Sequence, residues 1–431
     1  MYKGSKYNIL IKDTGKKKLV FNSLSGGLIL VENRIYDYLT QNGSNVSMTE
    51  IAELKENGFI VEHNLDEYGF LVFKERELIY STSAKSLAYV ICPTLKCNYK
   101  CVYCYEASDD CNSSFSLEST VMSEETAEQV CNFVAREIKE QTGVDSLHVT
   151  WFGGEPLIAP QIIDKISQRL IRVCDETHTE YSSSIITNGS LLSNDGIIEQ
   201  LQRDRVDRIQ ITFDGLRDKY CEYKGTSDAN FRAVLDILSS IQKKFNLSVR
   251  LNVDKGNYES VMELACKFLE QDQNIYLYLA PIKYEKEQVR AFSAEEFHYA
   301  REAFWDMLIS KGNRTFINND LPKSKLIACG ALMHHNYVIL PNGNLQKCER
   351  TIGNEPAIGD VTLGPYYSND ILLKYSNRND NCCNCCVYPL CRGGCRKENA
   401  ESNGKNVFCE GFLHEIKKLV GLKAEKMIGD I

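Results

Sequence analysis

No stretch of this 431-residue sequence stays apolar for the roughly 20 residues that a membrane-spanning helix needs. The first residues, MYKGSKYNILIKD, also lack the apolar segment and the small-residue cleavage site of a secretory signal. Basic residues are fewer than acidic residues, with 50 Lys and Arg against 58 Asp and Glu. The resulting net charge of -8 argues against a surface that binds nucleic acid. We therefore expect a cytoplasmic protein with no membrane and no nucleic-acid partner.

Cysteine, in contrast, is abundant, with 18 residues. In a reducing compartment so many thiols are better explained by metal binding than by disulfides. Their placement supports this interpretation, because three cysteines lie at 97–104 and seven more recur at regular spacings between 329 and 409.

Length and hydrophobic periodicity divide the chain into regions. Residues 1–85 mix short strands with helices and are predicted to form a small α+β domain similar to a winged-helix, peptide-recognition unit. A cap that only covers the bottom of the next domain is the alternative. Within this region FIVEH and GFLVFKE are predicted to pair as a hairpin, with residues 64–69 as its turn. Residues 286–328 read as a helical connector, and residues 329–431 combine many cysteines with a last helix, so metal is expected to hold them together.

Between residues 86 and 285 strands alternate with amphipathic helices, which implies βαβ units and a parallel sheet. The predicted strands are SLAYVIC, SLHVTWF, SSSIITN, VDRIQITF, LSVRLNV and NIYLYLA. Six such units predict an α/β fold built on a partial (β/α)6 TIM-type barrel. Barrels of this kind place their chemistry at the C-terminal ends of the strands.

Three cysteines directly follow the first of these strands, in PTLKCNYKCVYCYE. Cys97, Cys101 and Cys104 can hold three irons of a 4Fe-4S cluster and leave the fourth iron without a protein ligand. Such an iron can chelate the amino and carboxylate groups of a small molecule, and the cluster can pass that molecule one electron. A zinc site is the alternative, but zinc needs four ligands, and only Cys92 and Cys111 lie near enough in sequence to complete the set.

Glycines and polar residues follow the next strands at the same predicted end of the sheet. Gly153, Gly154, Glu155 and Pro156 end the second strand, Asn188 the third, Asp214 the fourth and Asn252 the fifth. Glycine allows the backbone to approach a ligand closely, and a carboxylate offers a charged acceptor. A plain turn is the alternative for the glycines, and core packing is the alternative for Asn252.

The CX3CX2C spacing, with Tyr103 before the last cysteine, resembles the radical S-adenosylmethionine (radical SAM) superfamily, and CNYKCVYCYE is similar to its peptide-modifying members. The GGEP turn resembles a second motif of that family. The resemblance implies that SAM binds the open iron of the cluster, in contact with Tyr103, Gly153, Gly154, Glu155, Asn188, Asp214 and Asn252. Relatives often carry a His-Asp pair and an Arg after the DG dipeptide, where this chain has Tyr220, Cys221 and Lys224.

The C-terminal cysteines follow the order CX13GX4C, then CX2CX5CX3C and a final cysteine, which resembles the SPASM domain with its two auxiliary 4Fe-4S clusters. The resemblance implies one cluster on Cys382, Cys385, Cys391 and Cys409, and another on Cys329, Cys348 and Cys395. For the second cluster the fourth ligand is His335, Cys383, Cys386 or a substrate atom, while His334 and His335 could also merely flank a strand. A zinc ribbon is the structural rival for this region.

These resemblances imply an enzyme with three 4Fe-4S clusters that generates a 5'-deoxyadenosyl radical from SAM and removes a hydrogen atom from its substrate. The N-terminal unit favours a ribosomally made precursor peptide as partner, its leader bound by strand addition. A thioether is favoured slightly over other crosslinks, with flavodoxin or ferredoxin as electron donor. The alternatives are a formylglycine-forming sulfatase maturase, a quinohemoprotein-type thioether enzyme, and a non-catalytic iron-sulfur or zinc scaffold. The sequence names no general base and no oligomeric state.

Overall fold

The computed structural model describes residues 1–41, 45–81, 85–105, 121–141, 143–272, 274–283, 290–352, 355–366, 375, 378–401 and 409–428. The described cysteines form no disulfide with one another, as a metal-binding role requires. No helix in this part of the chain combines the length and the apolar character needed to cross a membrane.

The N-terminal region forms two small antiparallel sheets and three helices. In the first sheet β1 (Tyr2–Gly4) pairs with β5 (Ile60–Glu62), and the second contains β2 (Asn8–Asp13), β3 (Lys17–Asn22) and β4 (Leu28–Glu32) in that order. The helices are α1 (Asn33–Leu39), α2 (Met48–Glu56) and α3 (Glu67–Ile79). Ser47 caps α2 with a capping box, because its hydroxyl accepts a bond from the Glu50 N–H while the Glu50 carboxylate accepts one from the Ser47 N–H.

The predicted hairpin over FIVEH and GFLVFKE is wrong. FIVEH contains β5, whose partner is β1, and GFLVFKE lies inside α3. The Asp66 carboxylate begins this helix by accepting a hydrogen bond from the Gly69 N–H. The buried positions of α3 are Glu67, Leu71, Glu75 and Ile79, which recur every four residues on one face. Because two of the four are acidic, the pattern of apolar residues alone did not reveal the helical period.

A ten-stranded, mostly parallel sheet organises the rest of the chain, in the order β11-β10-β9-β8-β7-β6-β12-β13-β14-β15. Its first six strands in the chain are β6 (Ser86–Thr94), β7 (Ser146–Gly153), β8 (Glu180–Thr187), β9 (Val206–Phe213), β10 (Asn246–Val253) and β11 (Tyr276–Pro281). These six predicted strands are confirmed, and they pair in parallel in chain order. This is the order that an incomplete (β/α)6 barrel needs, while the barrel itself and the domain boundaries stay predictions.

The cysteine-rich region extends the same sheet, a connection that the sequence did not predict. Its strands are β12 (Tyr337–Ile339), β13 (Asn344–Gln346), β14 (Gly359–Asp360) and β15 (Gly364–Pro365). β12 pairs in parallel with β6, and the next three strands follow it in antiparallel order. The strand that leads into the first cysteine motif therefore contacts the cysteine-rich region directly.

Helices alternate with the parallel strands and bury their apolar faces against them. They are α4 (Glu124–Glu140), α5 (Pro160–Thr177), α6 (Asp195–Arg203), α7 (Arg217–Lys224), α8 (Asp228–Lys244) and α9 (Tyr258–Gln271). Leu147, Val149 and Trp151 on β7 are fully buried in the resulting core. Further helices in the described part of the chain are α10 (Ala294–Ser310), α11 (Thr315–Asp320), α12 (Tyr388–Cys391), α13 (Arg396–Glu401) and α14 (Cys409–Ile428). α14 packs on α10, α11 and β2.

Candidate iron-sulfur and SAM site

The loop that carries Cys97, Cys101 and Cys104 leaves the C-terminal end of β6. The end of α7 holds this loop from one side, since the Lys100 N–H donates to the Lys224 carbonyl at 3.0 Å and the Val102 N–H donates to the Tyr223 carbonyl at 2.9 Å. A Cβ on Gly225, which follows α7, would lie 2.4 Å from the Lys100 carbonyl oxygen. The close contact between α7 and the cysteine loop therefore requires glycine at this position.

The GGEP turn holds the same loop from the other side. The Gly154 N–H donates to the Thr94 carbonyl at 3.2 Å, and the Glu155 N–H donates to the Lys96 carbonyl at 2.9 Å. A Cβ on Gly154 would lie 2.4 Å from the Lys96 oxygen, and Gly153 has a φ of 117° that favours glycine. The two glycines thus bring β7 against the cysteine loop, and their predicted contact with SAM stays a prediction.

Glu155 is fully buried and ties the end of β7 to the end of β8. Its carboxylate accepts hydrogen bonds from the Thr187 hydroxyl at 2.7 Å, the Asn188 N–H at 2.8 Å and the Leu157 N–H at 3.1 Å. Burial raises the pKa of this carboxyl, and the three hydrogen bonds oppose that rise. In this arrangement Glu155 positions the end of β8, and its role as an acceptor for the methionine ammonium group stays a prediction.

Asn188 reaches from β8 to the cysteine loop. Its Nδ2 donates to Asn98 Oδ1 at 2.8 Å, and its Oδ1 accepts hydrogen bonds from both the N–H and the hydroxyl of Ser190. Asn98 lies directly after Cys97, and its Nδ2 donates in turn to the Ser190 hydroxyl at 2.9 Å. The structure therefore brings Asn188, a predicted SAM contact, next to the first cysteine.

Tyr103, Asp214 and Asn252 form one hydrogen-bonded network at the ends of β9 and β10. The Tyr103 hydroxyl donates to the Asp214 carboxylate, with oxygen-oxygen distances of 2.8 Å and 2.9 Å, and accepts from Asn252 Nδ2 at 3.0 Å. Burial and the Asp214 charge raise the pKa of Tyr103 well above its ordinary value. These three predicted residues thus lie together beside Cys101 and Cys104.

Lys224 completes this network and was not predicted as part of the site. Its Nζ lies 3.4 Å from Asp214 Oδ2, and both side chains are almost completely buried. Burial alone would lower the pKa of Lys224, but the charge of Asp214 raises it above the ordinary value. Helix α7 places Lys224 against the cysteine loop. The absence of the Arg that relatives often carry in this stretch does not by itself identify Lys224 as part of the site.

The three cysteines of the loop lie close to one another. Burial raises the pKa of Cys101 to about 12; Lys224 opposes this rise, whereas Asp214, Cys104 and Cys97 add to it. Three thiols that one loop brings together can hold three irons of a 4Fe-4S cluster. The donor set therefore fits an iron-sulfur cluster.

The spacing of these thiols does not match a single ion. Around a tetrahedral zinc with Zn–S bonds of about 2.3 Å, two sulfurs lie only ~3.8 Å apart. Among the described residues, one group of three His, Cys, Asp or Glu side chains has its ligand atoms within 4.8 Å of one another. That group contains no cysteine. Cys92 is buried in an apolar cluster with Val338 and Leu340, and Cys111 lies outside the described residues. These observations favour a cluster over the zinc alternative.

The structure also brings together both predicted C-terminal cysteine sets. Burial raises the pKa of Cys382 to about 11, and the nearby thiols of Cys391, Cys409 and Cys385 add to that rise. Burial likewise raises the pKa of Cys348 to about 12, with Glu349, Cys395 and Cys329 adding to it. Each set matches the grouping that the SPASM resemblance implies, while metal binding by these cysteines stays a prediction.

The residues considered as a fourth ligand make other contacts. His335 Nδ1 lies 2.8 Å from Glu137 Oε2 on α4, and the ring of His334 stacks on His335. The Cys383 thiol donates to the Asp380 carbonyl at 3.1 Å, and Cys386 packs against an apolar cluster between β2, β3 and α14. These contacts are typical of structural residues. The fourth ligand of the second C-terminal cluster is therefore not identified.

Comparisons with known proteins agree with this geometry. Residues 91–269 match the family described as the Radical SAM superfamily. The radical SAM cyclopropyl synthase TigE of Paramaledivibacter caminithermalis is 23% identical, over 96% of this chain and 94% of that protein. The serine-type anaerobic sulfatase-maturating enzyme of Klebsiella aerogenes is 26% identical, over 73% of this chain and 80% of that protein.

Two groups of solved structures share the fold. The anSMEcpe structure with bound AdoMet has a TM-score of 0.63 at 18% identity, covering 79% of this chain and 100% of that chain. Streptococcus suis SuiB bound to the precursor peptide SuiA has a TM-score of 0.51 at 15% identity, covering 95% of this chain and 100% of that chain. At these identities the likeness concerns the fold alone.

Proposed function

The chain is a member of the radical SAM superfamily related to SPASM-type maturases, and we propose that it oxidatively modifies a ribosomally made precursor peptide. This proposal rests on the share of the chain that aligns with each group of similar proteins. TigE and SuiB align with 96% and 95% of the chain, whereas the anaerobic sulfatase-maturating enzyme and anSMEcpe align with 73% and 79%. The SuiB structure contains a precursor peptide. About a fifth of the chain therefore aligns with TigE and SuiB but not with these two sulfatase-maturase matches.

The loop cysteines would hold the first cluster, with SAM beside it in the mouth formed by the ends of β6 to β10. When bound, the cluster and SAM supply a one-electron reduction and a 5'-deoxyadenosyl radical. The chain itself holds the cysteine loop between the Gly154 turn and the end of α7, and it places the Asn98–Asn188 pair and Tyr103 next to the cysteines. Rigid placement of one C–H bond against the radical, with water excluded, is the main contribution a protein makes to such chemistry.

The two C-terminal cysteine sets suit a net oxidation of the peptide. In thioether formation a substrate carbon loses a hydrogen atom to the radical, which becomes 5'-deoxyadenosine, and a substrate thiol loses a proton. The new C–S bond then leaves one electron to remove, which an auxiliary cluster can accept. Flavodoxin or ferredoxin is the proposed donor for the first reduction. A thioether is favoured slightly over other crosslinks because a set of only Cys329, Cys348 and Cys395 would leave one iron available to a substrate thiolate.

Formylglycine formation is the second candidate, because the sulfatase-maturating relative of Klebsiella aerogenes is 26% identical over 73% of the chain. It would oxidise a Cys or Ser side chain without forming a crosslink. The two candidates therefore differ in substrate and product rather than in the radical step.

The test uses anaerobically reconstituted full-length protein with SAM, a reductant and a candidate precursor peptide, chosen from short reading frames next to the gene for this chain. We expect 5'-deoxyadenosine and a peptide that has lost two hydrogens, with tandem mass spectrometry locating the crosslink. A variant with Cys97, Cys101 and Cys104 all changed to Ala should form neither product. If a sulfatase peptide is modified instead, the second candidate is correct. If no 5'-deoxyadenosine forms and iron counts stay well below about eight per chain, the chain is a non-catalytic scaffold.

A further inference from the structure

Three potential metal ligands meet where α10 packs on α14, outside the cysteine sets. His298 and Glu302 lie one turn apart on α10, and His414 on α14 faces them. One ligand atom from each of the three lies within 4.8 Å of the other two. His298 Nε2 is 3.8 Å from Glu302 Oε1, and the ring centroids of the two histidines are 5.7 Å apart.

A buried carboxylate orients the central histidine. His298 Nδ1 lies 3.1 Å from Glu415 Oε1, and Glu415, only 4% exposed, is also paired with Arg301. If Nδ1–H donates to Glu415, the lone pair of Nε2 points toward the Glu302 carboxylate, so that two acceptors face each other. A cation between them would resolve this conflict. Metal-binding histidines characteristically donate their other ring N–H to a carboxylate in this way.

A glycine makes room for this histidine at the helix interface. A Cβ on Gly411 would lie 2.8 Å from His298 Cγ and 2.9 Å from its Cβ. Gly411 is three residues before His414 and four before Glu415, so it lies on the same face of α14. The surface of α14 that receives His298 thus combines a small residue, a carboxylate and a second imidazole.

We propose that His298, Glu302 and His414 bind a divalent ion of the zinc class, with Glu415 as the residue that orients His298. Two imidazoles and one carboxylate are a common zinc donor set and leave a fourth position for water. His298 is buried, Glu302 is partly exposed and His414 is exposed, so solvent reaches the open side of the site. The ion would fasten α14 to α10 five residues after Cys409. This inference does not depend on the proposed reaction.

The test measures zinc binding to the full-length, cluster-containing protein, with zinc alone as the probe. We expect the wild type to retain one zinc per chain in addition to iron, and His414→Ala to bind it at least 10-fold more weakly. Glu415→Gln should weaken binding by about 10-fold to 100-fold, as loss of such an orienting carboxylate usually does. His63→Ala, at another exposed histidine, is the matched control and should bind zinc like the wild type.

Two results would overturn the proposal. Equal zinc affinity in His414→Ala and the wild type would place the ion elsewhere, for example on the cysteines. Absence of zinc from the wild type would show that these side chains only join the two helices. X-ray absorption at the zinc edge separates these cases, because the proposed site requires nitrogen and oxygen ligands at about 2.0–2.2 Å, whereas cysteine sulfur lies at about 2.3 Å. Since His414 is exposed, unchanged iron content and circular dichroism should show that His414→Ala is folded.

Discussion

A single buried carboxylate on α3 faces three arginines of the cysteine-rich region. Glu75 is fully buried, and its oxygens lie 2.8 Å from Arg378, 3.3 Å from Arg392 and 3.0 Å from Arg396. The Tyr388 hydroxyl adds a hydrogen bond at 3.2 Å. These ion pairs therefore join the N-terminal region to the segment that carries four of the predicted cluster ligands, Cys382, Cys385, Cys391 and Cys395.

We predict that Glu75→Gln, which keeps the size of the side chain but removes its charge, strongly destabilises the protein. Opposite charges about 4 Å apart attract by about 4 kcal/mol at an effective dielectric constant of 20, but repulsion among the arginines and desolvation offset much of this. Breaking a buried pair by removing one partner costs about 3–5 kcal/mol. Because three guanidinium groups lose the same partner here, we expect the upper part of that range.

Urea unfolding of the cluster-containing protein measures this loss, from the transition midpoint and its slope. Glu77→Gln on the same helix is the matched control, since Glu77 is exposed and pairs only with Lys74 among the contacts of the described residues. That change should cost less than about 0.5 kcal/mol. If both variants unfold at the same urea concentration, the buried cluster contributes little net stability and the reasoning fails.

Two further predictions concern the cluster sites. Gly154→Ala would push a Cβ to within 2.4 Å of a carbonyl in the cysteine loop, so we expect at least a 10-fold loss of 5'-deoxyadenosine formation. Gly421→Ala is the control and should match the wild type, because the atom nearest to its added Cβ is 3.9 Å away. Cys409→Ser should lower the iron content by up to about four per chain, the size of one cluster. Cys266→Ser, on α9 and outside every predicted ligand set, should keep the iron content of the wild type, and equal iron content in both variants would contradict the ligand assignment.

The fold was largely predictable where apolar residues alone define the elements. The six parallel strands were found because their central residues are apolar and β-branched, and helices α4, α5, α8 and α9 because their polar and apolar faces are strongly separated. Helix α3 was not predictable in this way. Its buried positions include Glu75, and a buried carboxylate is understandable only together with arginines more than 300 residues later in the chain.

The candidate site was predictable as a set of residues but not as a set of contacts. The cysteine spacing identified the three groups of thiols that the structure brings together. Neither Lys224 nor the approach of the Lys96 carbonyl to Gly154 could be inferred, because each depends on how α7 and β7 pack against the cysteine loop. Spacing along the chain determines which cysteines can share a cluster, whereas tertiary packing determines what surrounds it.

The contacts of the N-terminal region bear on the choice between a cap and a peptide-recognition unit. The cap alternative would cover the bottom of the parallel-stranded domain, but the contacts described for α3, β2 and β3 include the cysteine-rich region. Leu71 packs with Cys382 and Tyr388, and the Ser23 hydroxyl donates to the Cys386 carbonyl. Arg396, which pairs with Glu75, is also close enough to the Cys382 and Cys329 thiols to lower the pKa of each, against burial that raises it. Attachment of the N-terminal region and the electrostatics of both C-terminal cysteine sets therefore depend on the same arginine.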